Sequence, residues 1–203
     1  KSKHVLTNTV DVIPQVIVSK SSQITFVMLG RMDEEGYKQK GFDLLLEALP
    51  LIQNDFLTTQ ARFIIIGDGK LYNDVAKQVA SYPFVTLHRK LNNQQVNTLL
   101  QQADVVVLPS RYEGVAMFAL EALANANAVI FGNTGGLIDM VDGNGILIDT
   151  SSANNLANAI LQMLHHPKLD ELKQQSKIIA KQRFSAMMQY NQFIQLYNQI
   201  NHG

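Results

Sequence analysis

Two glutamates flank the point where an apolar stretch of the sequence gives way to a turn and then to an amphipathic segment. Glu113 and Glu121 both lie in DVVVLPSRYEGVAMFALE, residues 104–121. The four apolar residues 105–108 are typical of a parallel strand that is buried on both faces. The pattern after the turn predicts a helix that begins near Val115. Its free N–H groups would lie at the carboxyl end of a strand, where helix N-termini bind phosphate.

A carboxylate beside anion-binding N–H groups needs hydrogen-bond donors of its own, and the hydroxyls of a ribose or a hexose supply them. Taken singly, Glu113 is equally typical of a solvated carboxylate at a helix N-terminus, and Glu121 of an exposed helix residue. The strand before them and the Gly135-Gly136 corner after them favour a binding role. We therefore predict a site for an anion that carries sugar hydroxyls.

Two cations follow the first clear strand, which is predicted over residues 24–29. Arg31 comes directly after Gly30, and Lys40 follows a polar loop. The glycine allows close backbone approach, the guanidinium offers a bidentate fork to a diphosphate, and the ammonium offers a point charge. Both cations are equally typical of solvated loop residues, and the residues alone leave that alternative open.

The composition argues against several classes of function. The chain has 203 residues, a formal net charge of zero and no cysteine. No basic excess indicates a nucleic-acid partner, and no disulfide, thiol nucleophile or Cys-ligated zinc can form. No apolar run approaches the roughly 20 residues of a membrane span, and no signal-like segment opens the sequence. The adjacent His165 and His166 cannot share a helix face as metal ligands, so we expect them at the surface.

Strand-like apolar runs alternate with helical periodicity along the chain, with about six strands in all. This alternation predicts an α/β fold with a Rossmann-like, doubly wound parallel sheet. No G-x-G-x-x-G pattern follows the first strand and no P-loop is present, so we expect neither a dinucleotide dehydrogenase nor a P-loop nucleotidase.

Taken together, the motifs resemble the C-terminal, donor-binding domain of retaining GT-B glycosyltransferases of family 4, also called glycosyl transferases group 1. Pro109-Ser110, Glu113-Gly114 and Glu121-Ala122 match the family's Pro-Ser-x-x-Glu-Gly pattern and its E-x7-E element. Gly30-Arg31 and Lys40-Gly41-x-Asp43 match its Gly-Arg and Lys-Gly-x-Asp elements. The resemblance runs from Asn8 to about Tyr197. The sequence departs from the family's usual residues at several positions, among them Arg89, Ala116 and Ala126.

The resemblance implies a site for a nucleotide diphosphate sugar, with a UDP-sugar favoured, and no metal or other cofactor. It implies that Glu121 accepts hydrogen bonds from the ribose and that Glu113 accepts them from the transferred sugar. The implied catalytic residues are Glu113, Arg31 and Lys40. The implied donor-binding residues are Gly30, Arg31, Lys40, Glu113, Gly114, Val115, Ala116, Met117 and Glu121. The implied nucleobase region is Asp68, His88, Arg89, Lys90 and Leu91, in which Arg89 stands where the family usually has Gly.

The same resemblance implies how the chain is divided. Residues 1–22 would be a segment of an interdomain linker, and residues 23–183 the Rossmann-like nucleotide-sugar-binding domain. Residues 184–203 would be a helix that crosses to an N-terminal domain missing from the sequence. That domain would bind the acceptor, which is a glycan, a lipid or a protein, so we expect the fragment alone to be inactive.

The implied function is transfer of a hexose, with retention, from a nucleotide diphosphate sugar to an acceptor. Two alternatives stay open: a non-catalytic module that binds a nucleotide or a partner subunit, and a GT-B-like nucleotide-sugar epimerase. The absence of cysteine and of an apolar span favours a cytoplasmic location, with peripheral membrane association through the missing domain as an alternative.

Overall fold

The computed structural model describes residues 8–11 and 23–202, and the side chains of these residues as far as residue 198. Most of the segment predicted as a linker, residues 1–22, therefore lies outside the described residues. The described chain contains one sheet of six parallel strands. The strands are Thr25–Arg31 (β1), Arg62–Asp68 (β2), Val85–His88 (β3), Val105–Leu108 (β4), Ala128–Gly132 (β5) and Gly145–Ile148 (β6).

The strand order is β3-β2-β1-β4-β5-β6, and every neighbouring pair is parallel. The chain builds outward from β1 to β3, then returns to place β4 on the other side of β1. This arrangement confirms the predicted doubly wound sheet. The crevice between the carboxyl ends of β1 and β4 is the switch point, where open α/β sheets bind ligands.

Helices cover both faces of the sheet. They are Glu34–Gln39 (α1), Phe42–Thr59 (α2), Tyr72–Val79 (α3), Asn93–Gln102 (α4), Met117–Ala124 (α5), Ala153–Leu164 (α6), Leu169–Arg183 (α7) and Ala186–His202 (α8). One apolar core lies between the sheet and α2, α3 and α6, and a second lies between the sheet and α4, α5 and α7. Val105 and Val107 face the first core, whereas Val106 and Leu108 face the second. The central strand is therefore buried on both faces, as its uniform apolar sequence predicts.

Two short elements replace segments that the sequence predicts as loops. Residues 34–39 form α1 because the side chain of Asp33 caps it, accepting a 2.7 Å hydrogen bond from the Gly36 N–H. Two acidic residues in the first turn add to this cap. Gly135–Met140 forms a 3-10 helix after β5. Both elements are too short to show a clear apolar period in the sequence.

The predicted start of α5 near Val115 is wrong by two residues. Ala116 has an extended backbone, with φ −72° and ψ 118°, and caps a helix that begins at Met117. Val115 and Ala116 pack against the second core instead. Glu121 is consequently the fifth residue of α5, about one turn from its start rather than nearly two.

The last helix, α8, presents apolar side chains to solvent. Met187, Tyr190, Phe193 and Tyr197 each expose more than half of their surface. Phe184, which lies between α7 and α8, is buried. Its carbonyl accepts a 2.9 Å hydrogen bond from the Val10 N–H. The described part of the N-terminal segment is thus tied to the junction of α7 and α8. The predicted domain boundaries and the crossing of this helix to another domain stay predictions.

Candidate functional site

The first wall of the site is the connection that follows β1. Lys40 ends α1, and its side chain lies over the backbone of Gly30 at the end of β1. A Cβ at Gly30 would lie 2.9 Å from Cγ of Lys40 and 2.9 Å from the ring of Phe42. The glycine therefore leaves the space through which the lysine stem passes.

Lys40 forms an ion pair with Glu113 of the β4–α5 loop. The two side chains are only 18% and 11% exposed, and the Ser110 hydroxyl lies 3.4 Å from the same carboxylate. The structure thus brings together two residues that the sequence predicts as catalytic and that lie 73 positions apart. In this arrangement each charge neutralises the other.

The glycine corner after β5 packs directly on the same loop. Gly135 has φ +49°, and a Cβ there would overlap the Glu113 carbonyl oxygen. The Gly136 N–H donates a 3.2 Å hydrogen bond to the Gly114 carbonyl, and a Cβ on it would lie 2.6 Å from that oxygen. The backbone of the glycine corner thus lies against the backbone of the β4–α5 loop, and this contact fixes the position of Glu113.

An open cleft of about 430 Å³ lies beside the ion pair, at the carboxyl ends of β1 and β2. Its floor is apolar, with Leu29 and Ile66, and Gly30 also lines it. Of the other residues predicted to bind the donor, Arg31, Met117 and Glu121 line the cleft. Lys40, Glu113, Gly114, Val115 and Ala116 lie outside its lining, on the side of the ion pair.

Glu121 is half-buried at the wall of this cleft. Burial raises the pKa of its carboxyl above the ordinary value, because the ionised form loses hydration. A carboxylate in this position gains from any ligand that donates hydrogen bonds to it. Vicinal hydroxyls are donors of that kind.

Arg31, which is predicted to bind the diphosphate, is more exposed than Glu121. The side chain of Arg31 is 60% exposed, with its guanidinium 3.3 Å from the carboxylate of Asp33 and 3.4 Å from Oε1 of Gln39. These are weak surface contacts, so the guanidinium can turn into the cleft at little cost. Arg31 therefore lies at the rim as an exposed cation, in contrast with the largely buried Lys40.

Of the five residues predicted for the nucleobase region, Asp68, Lys90 and Leu91 line the cleft. His88 and Arg89 lie outside its lining. The guanidinium of Arg89 stacks 4.2 Å from the ring centre of Tyr72 and lies 3.7 Å from the Asp68 carboxylate. The arginine that replaces the family's usual glycine is therefore held on the outer side of the cleft.

The N-terminus of α5 faces this region through Met117, whose side chain lines the cleft. The first carbonyl to accept hydrogen bonds from the helix is that of Ala116, which accepts from the N–H groups of Ala119 and Leu120. The N–H groups of Met117 and Phe118 therefore have no partner within the helix, and no side chain caps it. Two amides and the positive end of the helix dipole are available to an anion.

One residue of the site was missed in the sequence. Arg111 joins the β4–α5 loop to the start of α2. Its guanidinium forms two hydrogen bonds to the Asp43 carboxylate, at 2.8 and 2.9 Å. In the sequence, an arginine between Ser110 and Glu113 looks the same as a solvated loop cation. Only the fold shows that α2 brings a carboxylate to it.

The described residues, 8–11 and 23–202, contain no group of three or more His, Cys, Asp or Glu side chains placed to hold a metal ion. His165 is at the surface as predicted, with Nε2 2.9 Å from the Asp55 carboxylate. Within the same ranges, no helix is both long and apolar enough to cross a bilayer.

The fold and the cleft define a class. A Rossmann-like sheet of this order occurs in each half of a GT-B fold, and GT-B glycosyltransferases are among the solved structures that share it. A crystal structure of a mutant of S. aureus TarM, in complex with Fondaparinux, alpha-GlcNAc-glycerol and UDP, has a TM-score of 0.80. It is 22% identical, and the match covers 96% of this chain and 39% of TarM.

Sequence comparison then gives the family. Residues 23–166 match the family described as Glycosyl transferases group 1, so the chain belongs to that family. An uncharacterised glycosyltransferase of Methanocaldococcus jannaschii is 34% identical over 135 residues, which are 64% of this chain and 36% of that protein. The UDP-Gal:alpha-D-GlcNAc-diphosphoundecaprenol alpha-1,3-galactosyltransferase of Escherichia coli is 28% identical over 165 residues, which are 77% of this chain and 40% of the enzyme. The chain thus spans about two fifths or less of these relatives' lengths.

The contact between Gly135 and Glu113 leads to a first prediction. We expect Gly135→Ala to lower the free energy of unfolding by about 2–4 kcal/mol, because the methyl group overlaps a carbonyl and the backbone is left-handed. Gly114→Ala is the matched control, since a Cβ there has nothing within 4 Å. We expect it to change stability by less than about 0.5 kcal/mol in urea unfolding. Equal effects of the two substitutions would contradict this packing.

The burial of Glu121 leads to a second prediction. Because its pKa is raised in the folded chain, the ionised carboxylate opposes folding at neutral pH. We expect Glu121→Gln to raise the free energy of unfolding at pH 7. The gain should shrink as pH falls and vanish below the ordinary glutamate pKa of about 4.3, where the carboxyl is neutral in both states.

Urea unfolding at several pH values between 3 and 8 measures this difference. Glu47→Gln, at an exposed position on α2, is the control and should show little change across the range. A gain for Glu121→Gln that is the same at every pH would show that the buried charge is not its cause.

Proposed function

We propose that this chain is the donor-binding half of a retaining glycosyltransferase, which transfers a hexose from a UDP-sugar to an acceptor without a metal ion. The observation that carries the proposal is the juxtaposition at the switch point of the sheet. A cleft with a desolvated carboxylate, Glu121, adjoins a buried lysine–carboxylate pair, Lys40 and Glu113. A nucleoside needs the first of these two environments, and the sugar diphosphate joined to it needs the second.

The nucleoside occupies the cleft. Its apolar floor accepts a flat base, and Glu121 accepts hydrogen bonds from the two ribose hydroxyls. The cleft volume of about 430 Å³ is within the range of pockets that bind small molecules. The ribose hydroxyls replace the water that Glu121 loses on burial, so nucleoside binding lowers the free-energy cost of burying this carboxylate. A binding role thus explains why a carboxylate occupies a position where its charge opposes folding.

The diphosphate lies between the nucleoside and the ion pair. Arg31 turns in from the rim, Lys40 supplies a fixed charge, and the N–H groups at the start of α5 complete the anion site. Arrival of a phosphate gives Lys40 a second anionic partner. Glu113 keeps its contacts with Lys40 and Ser110 through Oε2, and its Oε1 accepts hydrogen bonds from hydroxyls of the sugar.

These charges act where charge develops in the reaction. The bond between the anomeric carbon and the phosphate oxygen breaks, and its electron pair leaves with the phosphate. The acceptor's hydroxyl oxygen bonds to the anomeric carbon, and the hydroxyl proton passes to the leaving phosphate. Arg31, Lys40 and the helix dipole stabilise the growing negative charge on that oxygen. Because Glu113 is bound to Lys40 and Ser110, we assign it to holding the sugar and not to attack on the anomeric carbon. The two cations provide the charge for which other transferases use a metal.

The relatives support the choice of donor. The E. coli relative is by name a UDP-Gal galactosyltransferase, and the TarM structure contains UDP. For the acceptor, we propose a site on a further domain that packs against the exposed apolar side chains of α8, such as Tyr190, Phe193 and Tyr197. We also propose that the protein works in the cytoplasm, where nucleotide sugars would reach the cleft.

The exposed face of α8 also favours a second candidate. A helix with this much apolar surface suits a partner subunit, which would make the chain a nucleotide-binding module with no reaction of its own. A nucleotide-sugar epimerase would use the same cleft without an acceptor.

Binding measurements test the site. We expect Glu121→Gln to weaken both uridine and UDP by about tenfold or more, because hydrogen bonds to a charged group are lost. Arg31→Ala should weaken UDP by about tenfold and uridine by less than twofold, because uridine has no phosphate. Arg62→Ala, at the opposite end of the sheet, is the control for removal of an exposed arginine. Unchanged UDP affinity in both site variants would remove the assignment.

Incubation of the full-length protein with labelled UDP-hexose separates the functions. Release of labelled hexose to an acceptor or to water, with retained configuration, is the expected result, and Lys40→Ala should abolish it by removing a fixed cation. Formation of an epimer would favour the second enzyme class. Tight binding of UDP with neither product would favour the binding module.

A further inference from the structure

The donor site depends on Lys40, but Lys40 lies in a segment with little support of its own. It ends a helix of six residues and is followed by Gly41, which has φ +76°. A helix this short is marginal without tertiary contacts. Something outside the segment must therefore fix the lysine at the place where it meets Glu113.

Arg111 makes that contact on both sides of Lys40. Before the lysine, its backbone N–H donates 2.9 Å to the Gln39 carbonyl, and Nη1 donates 2.5 Å to the Lys38 carbonyl. After the lysine, the guanidinium forms its two bonds to Asp43. The arginine thus brackets the segment 38–43 from one position.

The neighbouring residues strengthen the same join. The Gln39 side chain donates a 3.2 Å hydrogen bond to the Tyr112 carbonyl. Gly41 lies against Pro109, where an added Cβ would overlap the proline carbonyl oxygen. The connection after β1 and the loop after β4 are therefore joined through residues 109–112, immediately before Glu113.

The contact requires the geometry of arginine. Three bonds leave one planar group, two in parallel to a carboxylate and one to a carbonyl. A lysine ammonium also has three donors, but they radiate from one nitrogen and cannot form two parallel bonds to a carboxylate. The Arg111 and Asp43 side chains are 33% and 26% exposed, so water competes with the pair only in part. With its guanidinium engaged in this way, Arg111 is assigned to holding the chain and not to binding the donor.

We propose that Arg111 is a positioning residue of the donor site, which holds Lys40 against Glu113 by clamping the chain on both sides of the lysine. The proposal rests on the proposed function, since it gives Lys40 the role of a phosphate ligand. Its consequence is specific. Loss of Arg111 impairs binding of the diphosphate through Lys40, and leaves binding of the nucleoside in the cleft unchanged.

A double-mutant cycle in the full-length protein tests this, with UDP and uridine binding measured by calorimetry. We expect Arg111→Ala to weaken UDP by about tenfold and uridine by less than twofold. Lys40→Ala should weaken UDP by a similar or larger factor. Since the arginine acts through the lysine, the double variant should bind UDP no more weakly than Lys40→Ala alone.

Two further variants keep the test decisive. Arg111→Lys should fold even if the alanine variant does not, and should show a smaller loss of UDP affinity that again disappears in the Lys40→Ala background. Arg183→Ala is the matched control, because that arginine also pairs with an aspartate, Asp142, but away from the cleft. It should leave both affinities unchanged.

The outcomes distinguish the two levels of the argument. If the wild-type protein binds no UDP, or if Lys40→Ala has no effect, the proposed function or its phosphate ligand fails, and the role of Arg111 fails with it. If Lys40→Ala weakens UDP but the arginine variants do not, or if the losses multiply in the double variant, the positioning role alone is overturned. Equal losses for UDP and uridine would show a general structural effect in its place.

Discussion

The contact between three loops at the carboxyl edge of the sheet is the constraint on which the site depends. Gly41 lies against Pro109, Gly132 against Ser110, and Gly135 against Glu113, each so closely that a methyl group would overlap a carbonyl oxygen. Contacts of this kind prevent the loops from moving past one another, because the backbone is close-packed and, unlike a side chain, cannot relieve an overlap by a change of rotamer. The β4–α5 loop is therefore held from both sides, and the residues that it carries have fixed positions relative to the lysine from the neighbouring loop.

Much of the fold could be predicted because burial on two faces leaves a plain pattern. Val105–Leu108 is uniformly apolar, as a central parallel strand should be, and the structure buries it completely. The strand order could not be predicted, since no local pattern records which strands become neighbours. The start of α5 was misplaced because Val115 and Ala116 continue the apolar character of the helix, whereas their side chains are used to anchor the turn before it.

Sequence patterns select residues for the candidate site but do not indicate the contacts between them. Glu113, Lys40 and Glu121 stand out through residue type, spacing and the resemblance to a family, but nothing in the sequence states that the first two form an ion pair. The pairing of Arg111 with Asp43 joins residues 68 positions apart and depends on the switch point between β1 and β4. Likewise, the stacking of Arg89 on Tyr72 decides which way that arginine points, and it follows from the packing of β3 beside α3.

The buried pair of Lys40 and Glu113 also governs how a ligand first meets the protein. Opposite charges in contact have almost no field beyond a few ångströms, and the chain as a whole carries a formal net charge of zero. The pair itself therefore adds little to the attraction of an approaching anion, which depends on the exposed Arg31 at the rim and on the N-terminus of α5. Inside the site, the anion meets a lysine that already has an anionic partner and must compete with Glu113 for it. The pair therefore acts on selectivity after arrival and not on the speed of approach.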